Sequence, residues 1–118
     1  MNITSEPFVE DFLCNFKVKI KTWGFLFLSN RQKNTQTILD LEVSVVQVEV
    51  ILSELTVLDY SHGPEQDQVY VGSDMWIFGR IIKGQEIYIK ITLGLKNQQV
   101  ICISFHKAEY PMRYPFKI

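Results

Sequence analysis

Five polar residues stand out within the apolar runs between Trp76 and Pro115: Tyr88, Lys90, Thr92, Ser104 and His106. Three β-branched-rich runs hold the stretch together: Trp76–Ile82, Glu86–Leu93 and Val100–His106. Lys83-Gly84 and Gly94-Leu95-Lys96-Asn97 punctuate them, the pattern of an antiparallel meander. Glu86, Tyr88, Lys90 and Thr92 alternate onto one face, and Cys102, Ser104 and His106 oppose the core candidates Ile101, Ile103 and Phe105 in parity. Adjacent strands would then bring Tyr88, Lys90, Ser104 and His106 onto one exposed face. Arg113 in the following tail and His62 in an upstream loop would lie near it. An imidazole that titrates near neutrality, a phenol and fixed cations are the parts for cleaving RNA without a metal. A base takes the proton of a ribose 2′-OH, which attacks the adjacent phosphorus. An acid protonates the departing 5′-oxygen, and cations hold the charge that builds on the phosphoryl oxygens. The catalytic set expected is Tyr88, His106, Lys90 and His62. Each has a plainer use: Tyr88 as a sheet aromatic, Lys90 in a cross-strand pair with Glu86 or Glu109, a lone histidine as a structural residue, and Arg113 as a pin for the tail.

Other chemistries find little to work with. Two histidines without a carboxylate cluster make a weak metal site, and no Cys/His spacing suggests zinc. There is no Gly-rich phosphate loop and no GxSxG elbow, so no cofactor is implied. The 118 residues, 47% apolar and 13% aromatic, fit a single domain spanning 1–118 with a packed core. Cys14 and Cys102 both sit in apolar segments, as two buried thiols of a reducing compartment would. Glu6, Glu10 and Asp11 occupy the place where a signal peptide carries positive charge. No run approaches the roughly 18–20 apolar residues of a membrane span. A soluble, cytoplasmic protein is expected.

Charge is unevenly distributed. Residues 40–78 hold eight acidic residues and no Lys or Arg. Residues 79–118 hold seven basic residues against Glu86 and Glu109. Arg80, Lys107 and Arg113 belong to that basic set, a footprint compatible with a phosphate-bearing partner such as RNA. Solvated surface cations are the competing explanation.

The preceding elements must position this sheet. Ser5 and Pro7 open a helix in which Phe8, Phe12, Phe16, Ile20 and Trp23 recur at helical spacing, with Leu13 beside them and Gly24 as its stop. Phe25–Leu28 reads as a short strand and Ser29–Lys33 as a polar turn, whose Arg31 and Lys33 are expected as exposed loop charges. Asn34–Leu41 reads as a short helix with Leu39 and Leu41 turned inward. Ser44 and Gln47 match a capping box and start a helix to about Leu55, against the β-propensity of its valines. Leu58–Pro64 reads as a turn and Glu65–Ser73 as a mobile hairpin or loop leading into the sheet. Two prolines keep Tyr110–Phe116 out of helix and central strand, leaving an extended tail, 107–118, over the sheet edge.

The run Gly84-Gln85-Glu86-Ile87-Tyr88-Ile89-Lys90-Ile91-Thr92, followed by Val100-Ile101-Cys102-Ile103-Ser104-Phe105-His106, resembles the C-terminal sheet of the MqsR family, toxins of bacterial type II toxin–antitoxin systems. Trp76 and the Asp59-Tyr60 pair after an apolar helix extend the resemblance over roughly residues 50–106. It implies an α+β, RelE-like fold, with N-terminal helices packed on a C-terminal antiparallel meander. It also implies metal-free mRNA interferase activity on single-stranded mRNA, free or on the ribosome, and a cognate antitoxin that masks the toxin. The family's active-site tyrosine falls on Tyr88 and its basic residue after Ser-Phe on His106. A family lysine falls on Ser61, next to His62, and a family glutamine on Ile77. The rival expectation is a non-catalytic module whose sheet face and Tyr110–Phe116 tail dock a protein.

Overall fold

The computed structural model describes residues 2–66 and 73–117. Most of the loop expected at Glu65–Ser73 lies outside the described residues. Helix α1 spans Glu6–Trp23, with Ser5 extended at its N-cap, proline in the first turn and Gly24 N–H bonded to the Ile20 carbonyl at 2.8 Å. Its buried face is Val9, Phe12, Leu13, Phe16 and Ile20. The expected aromatic stripe is thus corrected at both ends. Phe8 and Trp23 are 63% and 48% exposed, because the core-facing row runs through Val9 and Leu13 instead. Cys14 also faces outward, so only Cys102 is a buried thiol.

Strand β1 covers Phe25–Phe27, and helices α2 and α3 cover Gln32–Leu41 and Val45–Ser53. Ser44 Oγ accepts from Gln47 N–H at 3.1 Å while the Gln47 side chain accepts from Ser44 N–H at 2.7 Å. That reciprocal cap starts α3 and overrides the strand preference of its valines. In α2, Leu41 is buried but Leu39 points outward.

Four further strands follow: β2 (Tyr60–Glu65), β3 (Met75–Ile82), β4 (Gln85–Thr92) and β5 (Val100–Lys107). The chain is α+β, with a five-stranded sheet ordered β1-β5-β4-β3-β2. β2 to β5 are antiparallel neighbours, but β1 runs parallel to β5, so the sheet is mixed rather than a pure meander. β2 also corrects the turn expected at Leu58–Pro64. Gly63 and Pro64 are tolerated there because β2 is an edge strand whose register with β3 shifts twice. Lys83 and Gly84 both take positive φ, 51° and 79°, giving the tight two-residue turn that sets β3 against β4.

One face of the sheet is closed by the helices. Phe78, Ile87, Ile89, Ile91, Cys102 and Phe105 form its side of the core with the α1 row, Leu41, Val48 and Leu52. Phe12 stacks on Trp76 at 4.6 Å. Burial on this face pushes the Cys102 thiol well above its ordinary range. Along β4 and β5, Lys90 pairs with Ser104 but Ile91 pairs with Cys102, so Ile103 is the extra residue of a bulge. The bulge inverts parity beyond it: Cys102 enters the core, and Ile101, expected there, is only partly buried. Asn34, fully buried on α2, holds the bulge. Its side-chain amide donates to the carbonyls of Ile103 (2.9 Å) and Leu28 (3.1 Å), and its oxygen accepts from Phe105 N–H at 2.9 Å. β1 ends at Phe27; Leu28 N–H still reaches the Cys102 carbonyl at 3.3 Å, and beyond it the Asn34 side chain supplies the hydrogen bonds that a longer strand would have made to β5. No described helix is long and apolar enough to cross a membrane.

Candidate functional site

Register across the other face determines which side chains meet. One row runs His62, Ile77, Lys90, Ser104 across β2, β3, β4 and β5. The next runs Gly79, Tyr88, His106. Neighbouring strands lie about 4.8 Å apart, and the rings of Tyr88 and His106 stack at 5.1 Å with 14° between their planes. Lys90 Nζ stands 5.9 Å from the Tyr88 ring centre.

The segment after β5 builds the wall. Ala108 N–H bonds to the Glu86 backbone carbonyl at 2.9 Å, and the Glu86 carboxylate accepts from Met112 N–H at 3.0 Å and from the Tyr114 hydroxyl at 2.8 Å. Phe116 then stacks on Tyr60 at 5.5 Å. The tail is therefore a strap across the open face from β5 to β2, not an overhang at the sheet edge. Gly79 lets it lie flat: a Cβ there would sit 2.5 Å from the Tyr114 hydroxyl and 2.6 Å from Met112 Sδ.

Sheet and strap enclose a cavity of about 520 Å³ whose lining includes Tyr88, Lys90, Ser104, His106, His62 and Arg113. Five of the seven expected site residues thus meet in one place. Arg80 and Lys107 do not. Arg80 pairs in register with Ile87 on the helix side and reaches Glu54 (3.4 Å) and Asp59 (3.6 Å). Lys107 also opposes Ile87 and binds Asp40 at 3.1 Å. Strand alternation turns both away from the cavity, which corrects their expected role as phosphate ligands there. Arg31, expected as a loop charge, lines the cavity instead. Its position at the N-cap of α2, beside the Asn34 anchor, carries it to the sheet, a long-range consequence invisible in local composition.

The two histidines are held differently. His62 Nε2 lies 3.4 Å from the Glu65 carboxylate and its Nδ1 lies 3.2 Å from Ser61 Oγ. With Nε2 protonated toward Glu65, Nδ1 accepts from the serine, and both nitrogens are engaged. Burial lowers the pKa of His62, partly opposed by Glu65. His106 Nδ1 lies 3.0 Å from the Lys107 carbonyl, which can only accept. In that pairing Nδ1 carries the proton and Nε2 keeps its lone pair. Tyr88 is pushed up to about 12, by burial first and then by Glu65. It is a neutral phenol at ordinary pH, a donor and not a base. Lys90 meets Glu65 at 3.7 Å, rather than the expected Glu86 or Glu109. Glu109 instead binds Lys33. None of the ion pairs among the described residues involves Arg113. Ile77 lies fully buried in the cavity-side row between His62 and Lys90. Among the described residues, no group of three or more His, Cys, Asp or Glu side chains is placed to hold a metal ion.

Comparison with protein-family models, with curated proteins and with solved structures finds no match to this chain.

Proposed function

We propose that the chain is an endoribonuclease toxin of the MqsR kind, RelE-like in fold, that cleaves single-stranded mRNA by 2′-OH attack without a metal. The observation that carries this is the in-register Tyr88–His106 pair, stacked at 5.1 Å in a cavity that also presents Lys90, Arg31 and Arg113. His106, with Nε2 open, takes the 2′-OH proton. The 2′-oxygen bonds to phosphorus as the bond to the 5′-oxygen breaks. Tyr88, a neutral phenol, supplies the proton that the leaving 5′-oxygen needs, which leaves a 2′,3′-cyclic phosphate and a 5′-OH. Arg113, Arg31 and Lys90 hold the phosphoryl charge, Arg113 most directly because it has no competing carboxylate in the described structure. His62, with both nitrogens occupied, orients Glu65 and through it Lys90; it assists and does not move the reacting protons. A type II system would add a masking antitoxin and a cytoplasmic setting. Val46 and Val50, 70% and 52% exposed on α3, offer apolar surface for such a partner.

The test is incubation of the protein with a long single-stranded RNA in EDTA. Fragments ending in 2′,3′-cyclic phosphate are expected, with a loss of about 100- to 10,000-fold in His106→Ala and a substantial loss in Tyr88→Phe. Intact RNA with the folded wild-type protein, repeated in the presence of translating ribosomes, would refute the assignment and favour a protein-docking module. Cleavage on ribosomes alone would identify a ribosome-dependent enzyme.

A further inference from the structure

The strap carries three aromatic residues, and two of them are accounted for. Tyr114 donates to Glu86 and Phe116 stacks on Tyr60. The third, Tyr110, is 80% exposed at the rim of the cavity, with no aromatic or hydrogen-bond partner for its ring among the described residues. Yet its backbone is held on both sides. Ala108 N–H is tied to the Glu86 carbonyl two residues before it, and Met112 N–H to the Glu86 carboxylate two residues after it. Pro111 directly follows, which restricts the backbone of Tyr110 to extended conformations. Glu109, the preceding residue, is bound to Lys33 at the start of α2. A large apolar ring set on a braced segment, beside a cationic cavity, is surface prepared for an occupant and not a loose end. Its neighbours define that occupant: Arg31 and Arg113 suit a phosphate, and an unpaired aromatic face suits a flat base.

We infer that Tyr110 is a stacking platform for an unpaired nucleobase next to the phosphate held in the cavity, and so a positioning residue that restricts the enzyme to single-stranded RNA. This rests on the ribonuclease assignment and deepens it. A base inside a duplex already has both faces stacked and cannot be laid on the ring. A base in a single strand can be, at little cost, and the ring will take any of the four.

The experiment first maps one cleavage site in a long RNA, then uses a short oligonucleotide containing it, with an abasic residue walked through the flanking positions. Wild-type protein is expected to show a KM raised about 5- to 150-fold by an abasic residue at one flanking position. Tyr110→Ala should raise KM by a similar factor on the intact oligonucleotide and be indifferent to the abasic residue at that position. Tyr110→Trp should restore both the affinity and the abasic penalty. Tyr110 is exposed, so these variants keep the fold. Equal KM for wild type and Tyr110→Ala overturns the platform while leaving the ribonuclease intact. An abasic penalty that survives in Tyr110→Ala overturns it too. Failure of wild-type protein to cleave any RNA removes the underlying assignment, and the platform with it.

Discussion

Replacing Glu86 with alanine should release the strap without unfolding the domain. The carboxylate receives two hydrogen bonds from the strap, Met112 N–H at 3.0 Å and Tyr114 O–H at 2.8 Å. Bonds to a charged acceptor contribute about 1.5–3 kcal/mol each, and the lower end applies because both are only part-buried. The loss is then roughly 3 kcal/mol of docking free energy, while Phe116 keeps its stack on Tyr60 and its packing against the core. A change of about 3 kcal/mol lowers the docking equilibrium constant by roughly 100-fold. The Met112 amide loses its own acceptor as well, so its protection against hydrogen exchange should fall by at least about that factor. The amides of Ile89 and Phe105, whose side chains lie on the helix side of the sheet, should keep theirs. The proposed RNA cleavage should weaken in the same variant, because the wall that carries Arg113 is no longer held. Glu86→Gln should fall between the two, since its amide oxygen still accepts from Met112. Wild-type exchange at Met112 in Glu86→Ala would refute the carboxylate as the latch. Uniform loss of protection throughout the sheet would show that the strap is not separable from the fold.

Other consequences are checked more simply. Asn34→Ala leaves a buried N–H and a buried C=O of β5 without partners, so chemical denaturation should show a loss of about 3–5 kcal/mol, and the Tyr88–His106 register should suffer with it. Tyr88 is raised to about 12, so on the proposed mechanism its ionisation should add no alkaline limb to the cleavage rate below about pH 11 in a pH–rate profile. Folded-state tyrosine pKa values above the unfolded value near 10 favour the neutral form. Stability from Tyr88 and Tyr114 is therefore whole below about pH 10 and lost as pH climbs above it, visible as a falling Tm that Tyr114→Phe moderates. His62 is the opposite case. Its pKa is lowered on folding, so its contribution is present above about pH 6.5 and lost as pH falls below it, and His62→Gln should flatten that acid slope in a denaturation series.

Local patterns anticipate which polar side chains share a sheet face better than they anticipate the frame around them. The three long strands are found within a residue or so of their expected bounds, since alternation and Gly-containing turns act over a few residues. Tyr88, Lys90, Ser104 and His106 share a face for the same reason. Arg80 falls on the helix side, away from the cavity, because strand parity decides its face and charge counted along the chain ignores parity. Ile101 and Cys102 exchanged faces because the Ile103 bulge is held by Asn34, a contact between distant segments. β2 was hidden by Gly63 and Pro64, which mark turns in most settings but are permitted at a sheet edge. The parallel placement of β1 has no local signal at all. It follows from where α1 and α2 can pack.

Strand β5 lies between β1 and β4, so the sheet is sewn together from pieces of very different sequence separation. The β3–β4 hairpin closes through two residues, whereas Phe25 must find Val100. Loop-closure entropy makes the first pairing fast and the second slow. The hairpin bearing Tyr88 and Lys90 can therefore exist before β1 and α2 have closed on β5. The Asn34 clamp, which sets His106 opposite Tyr88, belongs to the slow step. The paired Tyr88–His106 site is complete only with that last long-range closure, so, if the proposed ribonuclease activity holds, a partly folded chain would leave RNA intact however much sheet it already contains.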